Sequence, residues 1–363
     1  MNVDLIGQGG ASGEVANVLM ADGRLNANAM KPFIDKDDKA YITVFKGGDS
    51  KDPDNYSVKL VNNATLRRDE WKRLDEAVIT IAESRLGGVQ DLISNGLTYD
   101  LGNGMGSTIL EWHDVGDALE ADLTMDGITR GKNDRPNFQH NYLPLPIIHV
   151  DYEINARALN MSRNMGNPLD TTMVERATRK INYKMEQMLF TNTDYAFGDA
   201  DSRGRNKIYS YVNHPDRNQQ TLSVNWDASA KSPTDIVAEV LAMKQNAINN
   251  LHYGPWKLYI PTAYETILDE DYDKTAPVGT TTRDRILKIA GITGIQIVDT
   301  LPANNVLLVQ MSSDVVRLVR GMGIQNVQWS VEGNMINKFK VMTIQVPQIR
   351  SDQNGKSGIV HLA

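Results

Sequence analysis

Three glycines, Gly102, Gly104 and Gly106 in the run GNGMGS, come nearest to a chemical signature by type and spacing. Glycine-rich loops cradle phosphates because a backbone without Cβ atoms can turn its N–H groups toward an anion. Both nucleotide fingerprints demand more: a following Lys-Ser/Thr pair, or a preceding strand that opens into a helix. Neither is present, so a β-turn or strand hinge is the better reading. The six histidines, His113, His140, His149, His214, His252 and His361, come next. None forms an H-x-H or H-x-x-x-H pair, so a zinc or iron site would need ligands converging from distant segments. Asp269, Glu270, Asp271 and Asp273, in DEDYDK, offer carboxylates to a divalent cation but lack the spacing and glycine of a calcium loop. A solvated acidic loop is their ordinary reading. Arg176, Arg179, Lys180 and Lys184 stand at helical spacing. Nucleic-acid contact fits them, but a salt-bridged helix face is the commoner reading. No G-x-S-x-G occurs and no Ser/His/Asp arrangement is legible. Nothing here selects an enzyme, a cofactor or a metal.

These residues sit on elements that the apolar pattern places, the most regular being Tyr142 to Asn192. Pro144 and Pro146 forbid helix at its start, and Ile147, Ile148, Val150, Tyr152 and Ile154 favour strand. After Pro168 and Asp170 the period changes. Met173, Ala177, Ile181, Met185 and Met188, widened by Val174 and Leu189, keep helical spacing for about five turns. Asp170, or a capping box from Thr172 to Glu175, is the expected start. A helix of that length spans about 30 Å. It reads as a spine, with the four cations on its flank.

Around it, Leu66 to Leu86 reads as an amphipathic helix closed by Gly87-Gly88. Leu97 to Leu145 has no helical period over about fifty residues, too long for a compact loop; two long strands forming a projecting hairpin account for it. Strand candidates follow the spine at Ile208–Val212 and Leu222–Trp226. Ser232-Pro233 opens a helix to Asn250 with Ile236, Val240, Leu241, Met243, Ala247 and Ile248 inward. A strand (Trp256–Ile260), helices at Thr262–Leu268 and Thr282–Ala290, and strands at Ile295–Val298, Val306–Gln310 and Val315–Val319 complete an α/β segment. Val327–Val331, Lys338–Val346 and Gly358–Leu362 are terminal strands. The first 64 residues, with strands at Ala40–Phe45 and Tyr56–Val61, hold too few apolar residues for a core of their own. They read as an arm that packs on something else, with a partly disordered tail as the alternative.

Composition narrows the class. Of 363 residues 41% are apolar and 23% charged, enough for a sizeable core. The net charge of −7 excludes a chain-wide basic footprint for nucleic acid. With no cysteine, disulfides, thiolate metal sites and cysteine nucleophiles are excluded. The N-terminus has no basic region followed by an apolar run, and no apolar run approaches the roughly 18 residues of a membrane span. The expectation is a soluble protein in a reducing compartment.

The order of elements carries a resemblance. DEWKRLDEAV with RLGG, then LPLPIIHVDYEINARALNMSRNMGNPLDTTMVERATRKINYKMEQMLFTN, then SPTDIVAEVLAM and GPWKLYIPTAYETIL, resembles the encapsulin (linocin-like) shell proteins and the tailed-phage major capsid proteins. These share the Hong-Kong-ninety-seven capsid fold. The resemblance runs collinearly from about Leu66 to the C-terminus, and departs from the family where Asn192 replaces the glycine that follows the spine. It implies an α+β fold made of an N-terminal arm (1–64), an N-terminal helix region (65–98), an extended loop (99–143), a peripheral strand and spine helix (144–194), an axial domain (195–321) and peripheral terminal strands (322–363).

By the same resemblance the chain is a non-enzymatic major capsid protein that assembles with itself into pentamers and hexamers around a phage genome; an encapsulin shell around cargo enzyme is the alternative. The arm, which encapsulins lack and phage capsid proteins carry, favours the first. The implied partners are double-stranded DNA held non-specifically, a portal, decoration proteins and, with the arm starting at Met1, a separate scaffold protein. The virion, assembled in host cytoplasm, is the implied location. Ile109, Leu110 and Trp112 on the extended loop are expected to press on a neighbouring subunit. Asp269, Glu270, Asp271 and Asp273 are expected at the capsomer axis. Lys132 is a conceivable crosslink donor to an asparagine, as in some relatives.

Overall fold

The computed structural model describes residues 31–35, 39–45, 56–60, 66–84, 87–102, 104–115, 125, 138–164, 171–197, 206–272, 279–331, 336–352 and 355–363. The chain begins with four short strands, β1 (Phe33–Ile34), β2 (Ala40–Phe45), β3 (Tyr56–Leu60) and β4 (Leu66–Arg67), in the order β3-β2-β1-β4. Helices α1 (Arg68–Ser84) and α2 (Gly87–Ser94) and strand β5 (Thr98–Asp100) follow. A hairpin of β6 (Ile109–Val115) and β7 (Phe138–Pro144) leads to β8 (Ile148–Asn155), α3 (Ala156–Asn164) and the spine α4 (Thr172–Phe190). The second half holds β9 (Asn218–Gln220), α5 (Pro233–Asn249), β10 (Trp256–Pro261), α6 (Glu265–Leu268) and α7 (Thr282–Leu287). Strands β11 (Ile292–Val298), β12 (Val306–Gln310), β13 (Val316–Val331), β14 (Ile336–Ile349) and β15 (Ile359–Leu362) finish it.

Two larger sheets organise these elements. One runs β5-β13-β14-β8, and α4 packs on β8, β14 and α1. Its core gathers Trp71, Leu74, Tyr152, Ile181, Met185 and Phe339, with Tyr152 stacked on Phe339 at 5.1 Å between ring centres. The other runs β11-β10-β12-β15-β9 and is covered by α5, whose Ile236, Val237, Val240 and Met243 meet Trp256, Leu258 and Leu308. The start of α5 follows its sequence: Ser232 accepts from the Asp235 backbone N–H, Asp235 accepts from that of Ser232, and Pro233 stands at the first turn.

Several expectations are corrected. Leu66 is not helical; it pairs with Phe33 in parallel register and is buried, so α1 starts at Arg68. Gly87-Gly88 opens α2 rather than closing α1. Helix α3 lies unanticipated between strand and spine, because its window ARALNMSRN is mostly polar. The residue that caps the spine is Thr171, whose hydroxyl donates to Glu175 Oε1 at 2.9 Å, and Thr172 is the first residue of the helix rather than its cap; Asp170 lies outside the described residues. Ile208–Val212 and Leu222–Trp226 are turns and irregular chain, and the strand there is the polar Asn218–Gln220. Leu241 is exposed and Val237 takes its inward place.

Val315–Val319 and Val327–Val331 belong to one strand. β13 runs through Gly321 and Gly323 with register shifts at Arg320/Met322 and Met322/Gln325. The 322–363 segment divides between sheets. β14 pairs with β8, whereas β15 pairs with β12 and β9 in the α5-covered sheet. The arm is tied to its own chain. Lys31 pairs with Asp75 at 2.8 Å, Trp71 Nε1 donates to the Pro32 carbonyl at 2.8 Å, and Phe33 joins the main core.

Candidate assembly surfaces

The spine carries two faces that differ in chemistry. Val174, Ala177, Ile181, Met185, Met188 and Leu189 are buried within the chain. Met173, counted in the apolar stripe, is 44% exposed. The cause is geometric: a step of four residues overshoots the 3.6-residue turn by about 40°. Three such steps carry Met173 about 120° away from Met185, and Val174 fills the inward place. Ala177, Ile181 and Met185 therefore hold the helix to its own sheet. The opposite face exposes Arg176, Arg179, Lys180, Tyr183 and Lys184.

The hairpin forms as its sequence requires, with Ile109 opposite Pro144, Trp112 opposite Asn141 and His113 opposite His140. The two imidazoles meet edge to face with ring centres 4.2 Å apart. Leu110 and Trp112 turn in part onto Leu143, Leu145 and Met188 of their own chain, and Ile109 is half-buried. Their apolar surface is thus partly covered before any neighbour arrives. Lys132 lies outside the described residues.

The glycine run is a close-packing device. Gly102 has φ +72°, and a Cβ on Gly104 would lie 2.4 Å from Gly321 backbone atoms. Gly104–Gly106 forms one 3-10 turn against β13. Its glycines serve a chain crossing rather than a phosphate.

In the acidic loop, Asp269 is exposed and pairs with Arg283 at 2.9 Å. Asp271 bridges to Thr281, the Tyr272 N–H donates to the Thr280 carbonyl, and the Thr282 N–H donates to the Glu270 carbonyl. Glu270 and Asp271 are exposed, and Asp273 lies outside the described residues. Among the described residues no group of three or more His, Cys, Asp or Glu side chains is placed to hold a metal ion. Nor is any described helix long and apolar enough to cross a membrane.

A polar joint ties the two sheets together. Asp91 of α2 accepts from Lys257 Nζ and, at 3.1 Å, from the Tyr259 hydroxyl, both on β10. Glu186 of the spine accepts from the Gly88 N–H at 2.9 Å, at the start of α2. Burial raises the Glu186 pKa above its ordinary value, and the Gly88 N–H opposes that rise. Gly88 is required there: a Cβ would sit 2.3 Å from the Phe190 ring. Phe190 in turn packs on Tyr211 and Tyr259. Burial pushes both phenols well above their ordinary range.

Buried histidines make the α5-covered sheet sensitive to acid. His361 Nδ1 accepts from Arg217 Nε at 3.1 Å and its Nε2 meets Asn305 Oδ1 at 2.6 Å. Burial, then the Arg217 charge, lowers its pKa from 6.5 to about 4. Burial likewise lowers His214 to about 4, against the opposing charge of Asp216. A depressed folded-state pKa contributes stability that is present above 6.5 and lost as pH falls toward 4. Glu186, raised, acts with the opposite sign near the carboxylate range, one group against two. The unfolding midpoint in denaturant is therefore expected to fall between pH 6.5 and 4, and His361→Gln to flatten that fall. A midpoint independent of pH across this window would remove the assignment.

A family model described as a family of unknown function, DUF6260, matches residues 61–362. The chain belongs to this family. No curated protein matches it. Among solved structures it is similar to the virus-like particle from Pyrococcus furiosus, at 16% identity and TM-score 0.55, over 81% of this chain and 99% of that one. It is similar to the capsid of Myoviridae phage XM1 at 9% identity and TM-score 0.57, covering 77% of this chain and 92% of that one. The capsid of a native GTA particle matches at 10% identity and TM-score 0.55, over 77% and 91% of the two chains. At these identities the likeness is one of fold. The α+β fold of this DUF6260 member is the Hong-Kong-ninety-seven capsid fold, as its order of elements led one to expect.

Sequence reasoning missed the joint of this DUF6260 member. Asp91, Glu186, Lys257 and Tyr259 carry no motif, and Lys257 lies 166 residues from Asp91. The one available signal was Gly87-Gly88. Two adjacent glycines can end one helix or admit a close neighbour, and here they admit Phe190.

Proposed function

We propose that this chain is the major capsid protein of a tailed-phage-type particle, assembling through pentamers and hexamers into an icosahedral shell around double-stranded DNA. The observation that carries this reading is the likeness of fold to the phage XM1 capsid, over 77% of this chain and 92% of that one. The geometry supports a structural role. The spine's apolar face is used inside the subunit, so lattice contacts fall to the hairpin and the arm. On this reading the half-buried Ile109, Leu110 and Trp112 reach a neighbour. The loop at Asp269, Glu270 and Asp271 faces the capsomer axis, where Arg283 offsets part of the like-charge repulsion. A separate scaffold, a portal and decoration proteins are the partners such a shell would take, with assembly in the host cytoplasm.

A second reading, a nanocompartment shell around cargo protein, has one observation in its favour. The Pyrococcus furiosus virus-like particle is matched over 99% of its length. Electron microscopy of the expressed protein tests both. Particles or capsomers are expected, DNA-filled in the phage setting and protein-filled in the second reading. Monodisperse monomers under every condition tried would overturn the shell reading altogether.

A further inference from the structure

The four cations of the spine admitted two readings, a salt-bridged face or a nucleic-acid contact, and the structure separates them. Only two carboxylates lie on α4, and both are engaged elsewhere. Glu175 accepts from the Thr171 hydroxyl at 2.9 Å. Glu186 accepts from the Gly88 N–H at 2.9 Å, in the joint under the helix. Among the described residues, no carboxylate pairs with Arg176, Arg179, Lys180 or Lys184. All four are exposed. At 100° per residue they fall within an arc of about 140° that also contains the exposed Tyr183 and no acid. A chain of net charge −7 thus presents one contiguous cationic strip.

From this geometry we infer that the exposed face of α4 binds double-stranded nucleic acid through its phosphates, without reading sequence. Arg176 to Lys184 covers about 12 Å of helix. Duplex DNA carries one phosphate charge per about 1.7 Å of axis with both strands counted, or about 3.4 Å along one strand, so a length of about 12 Å offers about three to four phosphates of a single strand to four cations and a tyrosine hydroxyl. A polyanion is the occupant that suits such a strip. A second copy of this acidic chain would meet it only where its own carboxylates cluster. The inference rests on the shell reading for the source of the duplex, namely the enclosed genome, but not for the chemistry of the face.

The test measures binding of purified protein to a short duplex across a salt series, alongside electron microscopy of the same preparations. Four phosphate contacts give a log–log slope of about −3.6, an affinity loss of about a hundredfold between 50 and 200 mM salt. The double variant Arg176→Gln, Lys180→Gln is expected to reduce the slope by about 1.8 and that loss to about tenfold. The charge-preserving pair Arg176→Lys, Lys180→Arg is expected to keep the parent slope. An unchanged slope in the Gln variant, with particles still forming, overturns the inference and leaves the shell reading standing. Failure of the Gln variant to assemble, with its slope unchanged, overturns it too and makes the face a contact between copies. A reduced slope in protein that never forms particles supports the nucleic-acid face while the shell reading fails.

Discussion

Ile181→Asp is expected to abolish folding of the subunit, and with it any assembly. Ile181 is fully buried at the middle of the spine, in the cluster with Trp71, Tyr152, Met185 and Phe339. That cluster is apolar, so the aspartate must either take up a proton or open the packing. Substitutions of this kind stand at the extreme of the range, at about 4–5 kcal/mol or more, a large part of a typical domain's stability. The companion variants locate the cause. Ile181→Val removes one methylene and is expected to cost about 1 kcal/mol. Met173→Asp, on the exposed face of the same helix, is expected to change stability by about 0.5 kcal/mol or less. Circular dichroism with denaturant unfolding reads all three. A folded, cooperatively unfolding Ile181→Asp chain would show that the spine's inward face has been wrongly placed. Separating the faces in this way matters for function, since a defect in assembly is informative only when the subunit still folds.

Asp91→Ala carries the second largest expected effect, about 3–5 kcal/mol, the usual range for removing one partner of a buried ion pair. The side chains of Asp91 and Lys257 are 13% and 17% exposed, so the ammonium left behind is poorly hydrated. The Tyr259 hydroxyl loses its acceptor as well. The double variant Asp91→Ala, Lys257→Met is expected to recover most of that loss, because burying neither charge is close in free energy to burying both when paired. Equal destabilisation in the single and double variants would mean that the pair does not couple α2 to β10. The position of the pair gives the result a wider meaning. It joins the helix under the spine to the α5-covered sheet, and so bears on how rigidly the two halves of the subunit hold together.

What the sequence determined by itself was whatever depends on near neighbours. Helical period located α4 and α5 to within two residues, and Ser232-Pro233 with Asp235 marked the start of α5 because a cap is a three-residue interaction. Val306–Gln310 was legible as a buried apolar run, and the order of such elements was enough for the fold. The basic spine face was visible too, but its unpaired state was not, since Glu175 and Glu186 stand beside the cations in sequence and turn away from them in space.

Tertiary structure alone decided the rest. Asn218–Gln220 is a strand only because β15 lies beside it, and β15 joins the sheet of β12 rather than that of β14, its predecessor in sequence. Gly104 is explained only by Gly321, more than two hundred residues on in the chain. Asp91, Glu186 and Lys257 become one joint only after α2, α4 and β10 have packed. Period and capping are properties of a window of a few residues. Sheet membership, close backbone approach and the pairing of buried charges arise between segments that meet only when the chain closes on itself.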